Sequence, residues 1–236
     1  DVDAIITVGG GSAIGLGKAA VLKKQLPLIS IPTTYSGSEM TPLWGIVKDS
    51  IKYTGKDPIV KPDTVIYDPD LTIDMPPYLS FISGMNAMAH CMEALYAEQV
   101  NPITTLMAEK GIRTLYNNLG KLYCSSSSTE VRTKIFYGSW LAGSVLGKVG
   151  MALHHKLCHA LGGSCNLPHA ETHTVVLPYV LSYNASHISN ALKIMARALN
   201  TDEESVPSEI YNFIKKNSGP LSLAELGMKE RSIEVV

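Results

Sequence analysis

Residues 3–12 of this 236-residue chain read DAIITVGGGS, and they decide its fold class. The run before the glycines is rich in β-branched residues, which is typical of a buried parallel strand. Ser12 can cap a helix that continues to about Lys24. Residues 27–32, PLISIP, then form a second buried strand limited by prolines. Strand, helix and strand at this crossover length predict an α/β layer with a parallel sheet.

Beyond this unit the pattern changes from strands to helices. Further strands are expected at 43–48 and 64–67, the first of them pairing with residues near 51–53. From about Pro77 the apolar periodicity is helical almost to the end of the sequence. Long helical segments are expected near 77–98, 102–118, 129–149 and 170–199. The prediction is therefore an α/β N-terminal domain at 1–75, followed by an all-α domain at 76–236.

The predicted sheet is small for a complete α/β domain. It has only three or four strands, and the first of them opens directly on the glycine-rich turn. We therefore expect a further β-α-β unit upstream of the first residue. The last residues, KERSIEVV (229–236), stop without a clear ending signal. The chain is expected to be truncated at both ends.

The composition narrows the class of protein. Apolar residues make up 45% and charged residues 17%, which is typical of a globular chain. The formal net charge of -1 gives no reason to expect a nucleic acid or an anionic membrane as partner. No apolar run approaches the roughly 18–20 residues that span a bilayer. Four cysteines without a CxxC pair favour reduced thiols. These features predict a soluble, cytoplasmic protein.

The glycine-rich turn is a candidate phosphate site. Gly9, Gly10, Gly11 and Ser12 join a strand to a helix, where backbone N–H groups and the helix dipole attract an anion such as a pyrophosphate. The usual dinucleotide pattern would need glycine where Ile14 stands, and the Walker pattern fails at two positions. A tight turn without a ligand remains the alternative. If the ligand is a dinucleotide, 1–75 is a partial dinucleotide-binding domain.

A second loop follows the next predicted strand. Residues 32–39, PTTYSGSE, carry the hydroxyl groups of Thr33, Thr34 and Ser38. In open α/β sheets ligands bind outside the carboxyl ends of the strands. We therefore expect this hydroxyl loop and the glycine turn to converge on one crevice. A polar surface turn is the alternative interpretation of the loop.

Histidines are concentrated in the helical part. Six of the seven lie between residues 90 and 173, and on three predicted helical segments two polar residues are spaced i, i+4 on one face. The pairs are Asn86 with His90, His155 with His159, and His169 with His173. A core would not select this pattern unaided, and neutral imidazoles bind Zn, Fe, Cu or Ni. We predict a functional cluster, with His154 and His187 as ordinary residues.

Several blocks resemble the iron-containing alcohol dehydrogenases. They are the glycine turn, IPTT (31–34), SGMNAMAHCME (83–93), GMALHHKLCHALGG (150–163) and NLPHAETH (166–173). The resemblance runs from residue 4 to about 199. Around residues 36–41 and 155–173 it is most similar to the maleylacetate reductase group of that family. It implies a dehydroquinate synthase-like fold and a homodimer.

The resemblance implies roles in binding NADH or NADPH. The glycine turn would hold the pyrophosphate, and Thr33, Thr34 and Ser38 would line the nicotinamide side. Lys52 matches a lysine that reaches the cofactor ribose. The residue that distinguishes NADH from NADPH lies, in relatives, on the upstream unit.

The resemblance also implies roles for the polar cluster. His90, His155 and His169 match the metal-binding histidines of metal-dependent relatives, and His159 matches a histidine beside the nicotinamide. The aspartate ligand of those relatives is replaced by Asn86, as in the maleylacetate reductases, which resemble metal-independent members. A site of neutral donors holds a dication less firmly, so we expect no metal.

The expected reaction is the reduction of the enone C=C of maleylacetate, a dicarboxylate, to 3-oxoadipate in aromatic-compound catabolism. One alternative is an Fe- or Zn-dependent alcohol or hydroxy-acid dehydrogenase of the same family. Another is a non-catalytic, metal-stabilised helical binding module or an inactive fragment. The helical arginines Arg113, Arg132 and Arg197 are expected on solvated faces.

Overall fold

The structure, a computed structural model, describes residues 2–48 and 51–235. Its strands occupy the N-terminal part of the chain, as the sequence predicts. They are β1 (Ile5–Gly9), β2 (Leu28–Pro32), β3 (Leu43–Lys48), β4 (Ile51–Lys56) and β5 (Thr64–Val65). β1, β2 and β5 form a parallel sheet in the order β1-β2-β5, whereas β3 and β4 form an antiparallel hairpin. The predicted parallel sheet and the predicted pairing of β3 are confirmed.

β1 is the edge strand of the described sheet, and two of its side chains are exposed, whereas the sequence predicted a buried strand with a further β-α-β unit upstream. Ile6 is 63% exposed and Val8 is 58% exposed. Thr7 faces the other way, towards the helix α1 (Gly11–Lys23), where a Cβ at Gly17 would clash with its side chain. The β-branched composition indicates a strand that can be covered on both faces, but α1 covers only one face here.

The first helix starts earlier than predicted. Its N-cap is Gly10 in an extended conformation, and Ser12 lies inside the first turn, so the predicted Ser12 cap is wrong. Gly9, with a φ of +145°, adopts a conformation that favours glycine and turns the chain into the helix. Because α1 begins directly after the glycine turn, its N-cap position is occupied by a glycine and not by a polar residue.

Seven further helices follow the strands in the described residues. They are α2 (Pro77–Ala94), α3 (Pro102–Leu119), α4 (Thr129–Val149), α5 (Leu153–Cys165), α6 (His169–Asn184), α7 (Ser189–Leu199) and α8 (Val206–Lys216). The single helix predicted at 170–199 is wrong, because a short turn at Ala185–His187 separates α6 from α7. Asn184 and Ser186 favour this break, since their side chains compete for backbone hydrogen bonds.

α2 is the central helix of the apolar core. Every residue from Ser80 to Ala94 is buried, and the helix packs against α3, α4 and α6. Gly84 permits the close approach of α3, since a Cβ there would clash with Leu119. Polar side chains on α2 are consequently held inside the protein. The division into domains at 1–75 and 76–236 stays a prediction.

Arg132 is the residue that departs furthest from expectation, because it is completely buried instead of lying on a solvated face. Its guanidinium donates to the carbonyl oxygens of Ile73 (3.0 Å) and Met75 (3.1 Å), and Nε donates to that of Ser126 (2.7 Å). Nη1 also donates to the Tyr35 hydroxyl at 3.1 Å. Acceptors from other segments of the chain thus surround the Arg132 guanidinium and keep it away from solvent.

The other two helical arginines are exposed, as expected. Arg113 and Arg197 both pair with Glu109, at 3.0 Å and 2.6 Å. None of the helices in the described residues is both long enough and apolar enough to cross a membrane.

Candidate active site

The glycine turn and the hydroxyl loop lie in direct contact. The Thr33 N–H donates to the carbonyl oxygen of Gly9 at 3.0 Å. A Cβ at Gly10 would lie 2.9 Å from Cγ2 of Thr34, so the missing side chain lets the two segments touch. Both follow the carboxyl ends of parallel strands, at one edge of the sheet. The structure therefore brings the predicted cofactor-binding segments together.

The first turn of α1 offers an open anion site. No side chain hydrogen-bonds to the N-cap of this helix in the described residues, and Gly11 and Ser12 are exposed. The first N–H groups of a helix have no partner within the helix, and the dipole makes this end positive. Glycines at positions 9–11 leave the backbone accessible. These features fit a pyrophosphate group.

The hydroxyl loop is tied to two helices of the core. The Tyr35 N–H donates to Oγ of Ser83 on α2 at 2.9 Å, and the Ser139 hydroxyl on α4 donates to the Tyr35 carbonyl at 2.6 Å. At Gly143, also on α4, a Cβ would clash with the carbonyl of Gly37, which has a φ of +75°. The loop is therefore a fixed structure.

The predicted nicotinamide and ribose contacts lie on the hydroxyl loop and on β4. Thr33, Thr34 and Ser38 are partly exposed along the loop and could contact a ligand. Lys52 belongs to β4, but its side chain lies outside the described part of the structure.

The histidines on α2, α5 and α6 form one cluster. Six imidazole rings lie in contact or near contact, and the sequence predicted four of them as site residues: His90, His155, His159 and His169. The distances between ring centroids are 4.9 Å for His90–His155, 4.7 Å for His155–His173, 4.8 Å for His154–His173, 4.3 Å for His169–His173 and 5.9 Å for His159–His169. His173 occupies the centre of the cluster.

The cluster runs from the core to the surface. His154, His155 and His173 are buried, whereas His159 is partly buried and His169 is exposed. His154 has a structural contact, because its Nε2–H donates to the carbonyl oxygen of His173 at 3.1 Å. His187, the seventh histidine, is exposed beside Ser186, as the sequence predicts. A ligand could therefore reach the cluster from the side of His159 and His169.

Glu93 is the site residue that sequence reasoning missed. Its Oε2 hydrogen-bonds to Nδ1 of His155, and its Oε1 accepts the N–H groups of His154 (2.8 Å) and His155 (3.4 Å). With Glu93 ionised, its oxygens only accept, so Nδ1 of His155 carries the proton and the Nε2 lone pair has no hydrogen-bond partner in the described residues. Glu93 is three residues after His90 on α2, and this spacing was the available signal.

Burial lowers the pKa of the four buried imidazoles of the cluster, those of His90, His154, His155 and His173, and so keeps them neutral. Burial, together with smaller contributions from the nearby His159 and His169, lowers the pKa of His155 to about 3. The pKa of His154 falls to about 4, mainly through burial. Burial also raises the pKa of Glu93 above its usual range. At neutral pH these rings can therefore donate or accept hydrogen bonds, or bind a metal, without first losing a proton.

Several buried polar atoms of the cluster have no hydrogen-bond partner in the described residues. They are Asn86 Oδ1, His90 Nδ1, His154 Nδ1, His155 Nε2 and both ring nitrogens of His173. Two groups of three histidines also have ligand nitrogens within 4.8 Å of one another: His154, His155 and His173, and His159, His169 and His173. This donor set fits either a divalent cation or a polar substrate. The trio His90, His155 and His169 stays a prediction.

Two family models match most of the chain between them. The model of the iron-containing alcohol dehydrogenases matches residues 1–69, and the C-terminal model of the Fe-containing alcohol dehydrogenase family matches residues 80–236. The sheet with its glycine turn falls in the first range, and the histidine cluster falls in the second. The chain belongs to the iron-containing alcohol dehydrogenase family.

Within this family the similarity is to maleylacetate reductases. The maleylacetate reductase of Burkholderia cepacia is 49% identical over 99% of this chain. Crystal structures of maleylacetate reductases from Rhizobium sp. strain MTP-10005 and Agrobacterium tumefaciens superpose with TM-scores of 0.94 and 0.95, at 44% and 42% identity over 99% of this chain. The chain spans 66% of the length of each of these relatives.

Proposed function

We propose that this chain carries the active site of a maleylacetate reductase, which reduces maleylacetate to 3-oxoadipate with NADH or NADPH. The observation that carries the proposal is the buried amide of Asn86, one turn before His90 on α2, which leaves the histidine cluster without a carboxylate in that ligand position. The similarity to maleylacetate reductases supports the substrate. We further propose a cytoplasmic homodimer that acts in aromatic-compound catabolism.

Bound NADH or NADPH supplies a hydride from C4 of its nicotinamide ring. In the proposal, the glycine turn and the start of α1 hold the pyrophosphate, while Thr33, Thr34 and Ser38 orient the nicotinamide. The hydride adds to the alkene carbon remote from the ketone, and the π electrons move to form an enolate. Asn86 and the histidines donate hydrogen bonds to the enolate oxygen. A histidine at the solvent side of the cluster, in its imidazolium form, then protonates the carbon beside the ketone, becomes a neutral imidazole and recovers its proton from solvent.

We propose that this reaction needs no metal. Reduction of a simple ketone concentrates charge on one oxygen, where a Lewis acid stabilises the transition state by several kcal/mol. Addition to an enone instead spreads the charge over an enolate, which hydrogen-bond donors can stabilise. An amide at Asn86 provides a donor, whereas it supplies no negative charge to hold a dication.

A metal-dependent alcohol or hydroxy-acid dehydrogenase is the second candidate, and the unpartnered nitrogens of the cluster favour it. His90, His155 and His169 would hold Fe²⁺ or Zn²⁺, which would polarise a carbonyl oxygen. Glu93 would strengthen His155 as a ligand by accepting its Nδ1–H, the usual arrangement behind a metal-bound histidine.

The proposed function is tested by oxidation of NADH and of NADPH with maleylacetate, before and after a chelator. Both assays are made with the natural protein that contains these residues. We expect turnover that survives chelation. Loss of turnover with stoichiometric Fe or Zn would favour the metal-dependent dehydrogenase. A protein that needs metal for stability and responds to neither nucleotide would be a binding module, and the proposal would be wrong.

Replacing His159 tests the role of the cluster. Because His159 is placed at the solvent side of the cluster and is proposed to face the nicotinamide, we expect His159→Ala to lower kcat about 100-fold, the loss typical of a general acid or hydrogen-bond donor. His187→Ala, at an exposed histidine outside the cluster, is the control and should match the natural protein. A His159→Ala enzyme with near-natural kcat would contradict the proposed role.

A further inference from the structure

Lys18 is a buried cation between the two cofactor-binding segments. It lies on α1, one residue after Gly17, and its side chain is 1% exposed. Nζ donates to the carbonyl oxygens of Ser38 (2.7 Å), Thr41 (2.8 Å) and Leu43 (2.8 Å) and lies 3.1 Å from the Thr41 hydroxyl. An ammonium group has three N–H donors, and three carbonyls use them all. Lys18 therefore has no donor left for a ligand.

The contacts of Lys18 hold the protonated form. A neutral amine has only two N–H groups, so it would leave one of the three carbonyls without a donor. Burial lowers the pKa of Lys18 to about 8, and the charge of Glu39 opposes that shift. Glu39 is itself buried and accepts a hydrogen bond from Tyr67 at 2.8 Å. Burial raises the pKa of Glu39, and the charge of Lys18 opposes that shift.

Lys18 joins α1 to residues 38–43, which lie beyond the point where the hydroxyl loop contacts the glycine turn directly. Its helix begins at the glycine turn, about 10 Å away along the helix axis at ~1.5 Å per residue. The three carbonyls belong to residues 38–43, the end of the hydroxyl loop that includes Ser38. The other end of that loop is held by Ser83 and Ser139 through Tyr35. Lys18 is thus the anchor from α1 to this part of the loop.

We propose that Lys18 is a positioning residue that sets the distance between the pyrophosphate and nicotinamide halves of the cofactor site. The inference rests on the proposed function, because it needs a nicotinamide dinucleotide as ligand. Lys18 touches neither cofactor nor substrate. It holds residues 38–43 against α1, so that Ser38 keeps a constant distance from the glycine turn.

The test compares two ligands that share the pyrophosphate but differ in the nicotinamide. We measure binding of NADH and of ADP-ribose to Lys18→Met, which keeps the length of the side chain and removes its donors. If residues 38–43 then occupy the binding position about a tenth of the time, the Kd for NADH rises roughly 10-fold. The Kd for ADP-ribose should stay within about twofold, since the glycine turn is unchanged.

Two further variants sharpen the result. Thr41→Val removes the hydroxyl that lies 3.1 Å from Nζ and donates to the Ser38 carbonyl at 3.0 Å, so it should change NADH binding in the same direction by a smaller factor, again without affecting ADP-ribose. Lys23→Met, at an exposed lysine in the last turn of the same helix, is the matched control and should bind both ligands as the natural protein does.

The outcomes separate the two proposals. A natural protein that binds neither NADH nor ADP-ribose would contradict the proposed function. If the natural protein binds both ligands, and Lys18→Met weakens both equally or neither, the positioning role is wrong. A loss confined to NADH supports it, since general damage to the fold would weaken both ligands.

Discussion

Replacing Glu93 by leucine is expected to lower the free energy of unfolding by about 3 kcal/mol or more, because three buried donors lose their acceptor at roughly 1–3 kcal/mol each. The change leaves Nδ1 of His155 and the N–H groups of His154 and His155 without their acceptor. Water cannot replace the carboxylate without entering the core, because Glu93 and both histidines are buried. Denaturant-induced unfolding measures the loss.

Two comparisons isolate the cause. Glu93→Gln keeps the size of the side chain and one acceptor oxygen, so its loss should be smaller, about 1–2 kcal/mol. Glu98→Leu, at an exposed position beyond the end of α2, should change stability by no more than about 0.5 kcal/mol. A Glu93→Leu protein as stable as the Glu98→Leu control would show that the carboxylate does not hold His155.

Replacing Arg132 by methionine is expected to cost about 4 kcal/mol, because several buried acceptors lose their donor together. The carbonyls of Ile73, Met75 and Ser126 would all be affected. These residues are far apart in sequence, so the guanidinium ties the segment before α2 to the segment before α4. We expect a lower denaturation midpoint.

Arg113→Met is the matched control for Arg132. Arg113 is exposed and pairs with Glu109 on its own helix, a contact typically worth about 0.2–0.5 kcal/mol. The same chemical change should therefore have an effect several times smaller. Equal losses for the two variants would contradict the structural role of Arg132.

Local sequence signals predicted the elements well but not their surroundings. Two local signals predicted the first two strands: the β-branched run of β1 and the prolines that limit β2. Such signals involve only residues that are adjacent in sequence. Which face of β1 is covered depends on the packing of other elements, and the exposure of Ile6 and Val8 was missed for that reason. Arg132 was misjudged likewise, because its acceptors lie at positions that helical periodicity does not reveal.

For the candidate site, too, the sequence predicted local features but not how the elements pack. The i, i+4 pairs predicted that histidines share helix faces, and the faces do meet in one cluster. The spacing within each helix did not show that His173 is at the centre, because that depends on how α5 and α6 pack. Glu93 and Lys18 were missed because charged residues are usually solvated, and only remote acceptors explain their burial.

The burial of α2 has a consequence for the synthesis of the protein. Glu93 and His155 are 62 positions apart, so at ~5–20 residues per second α2 leaves the ribosome roughly 3–12 s before its hydrogen-bond partner. During that interval the apolar faces of α2 and the Glu93 carboxylate cannot yet pack against α5 and α6. Aggregation and chaperone binding therefore compete with folding at this helix first. The histidine cluster is complete only when translation has passed His173.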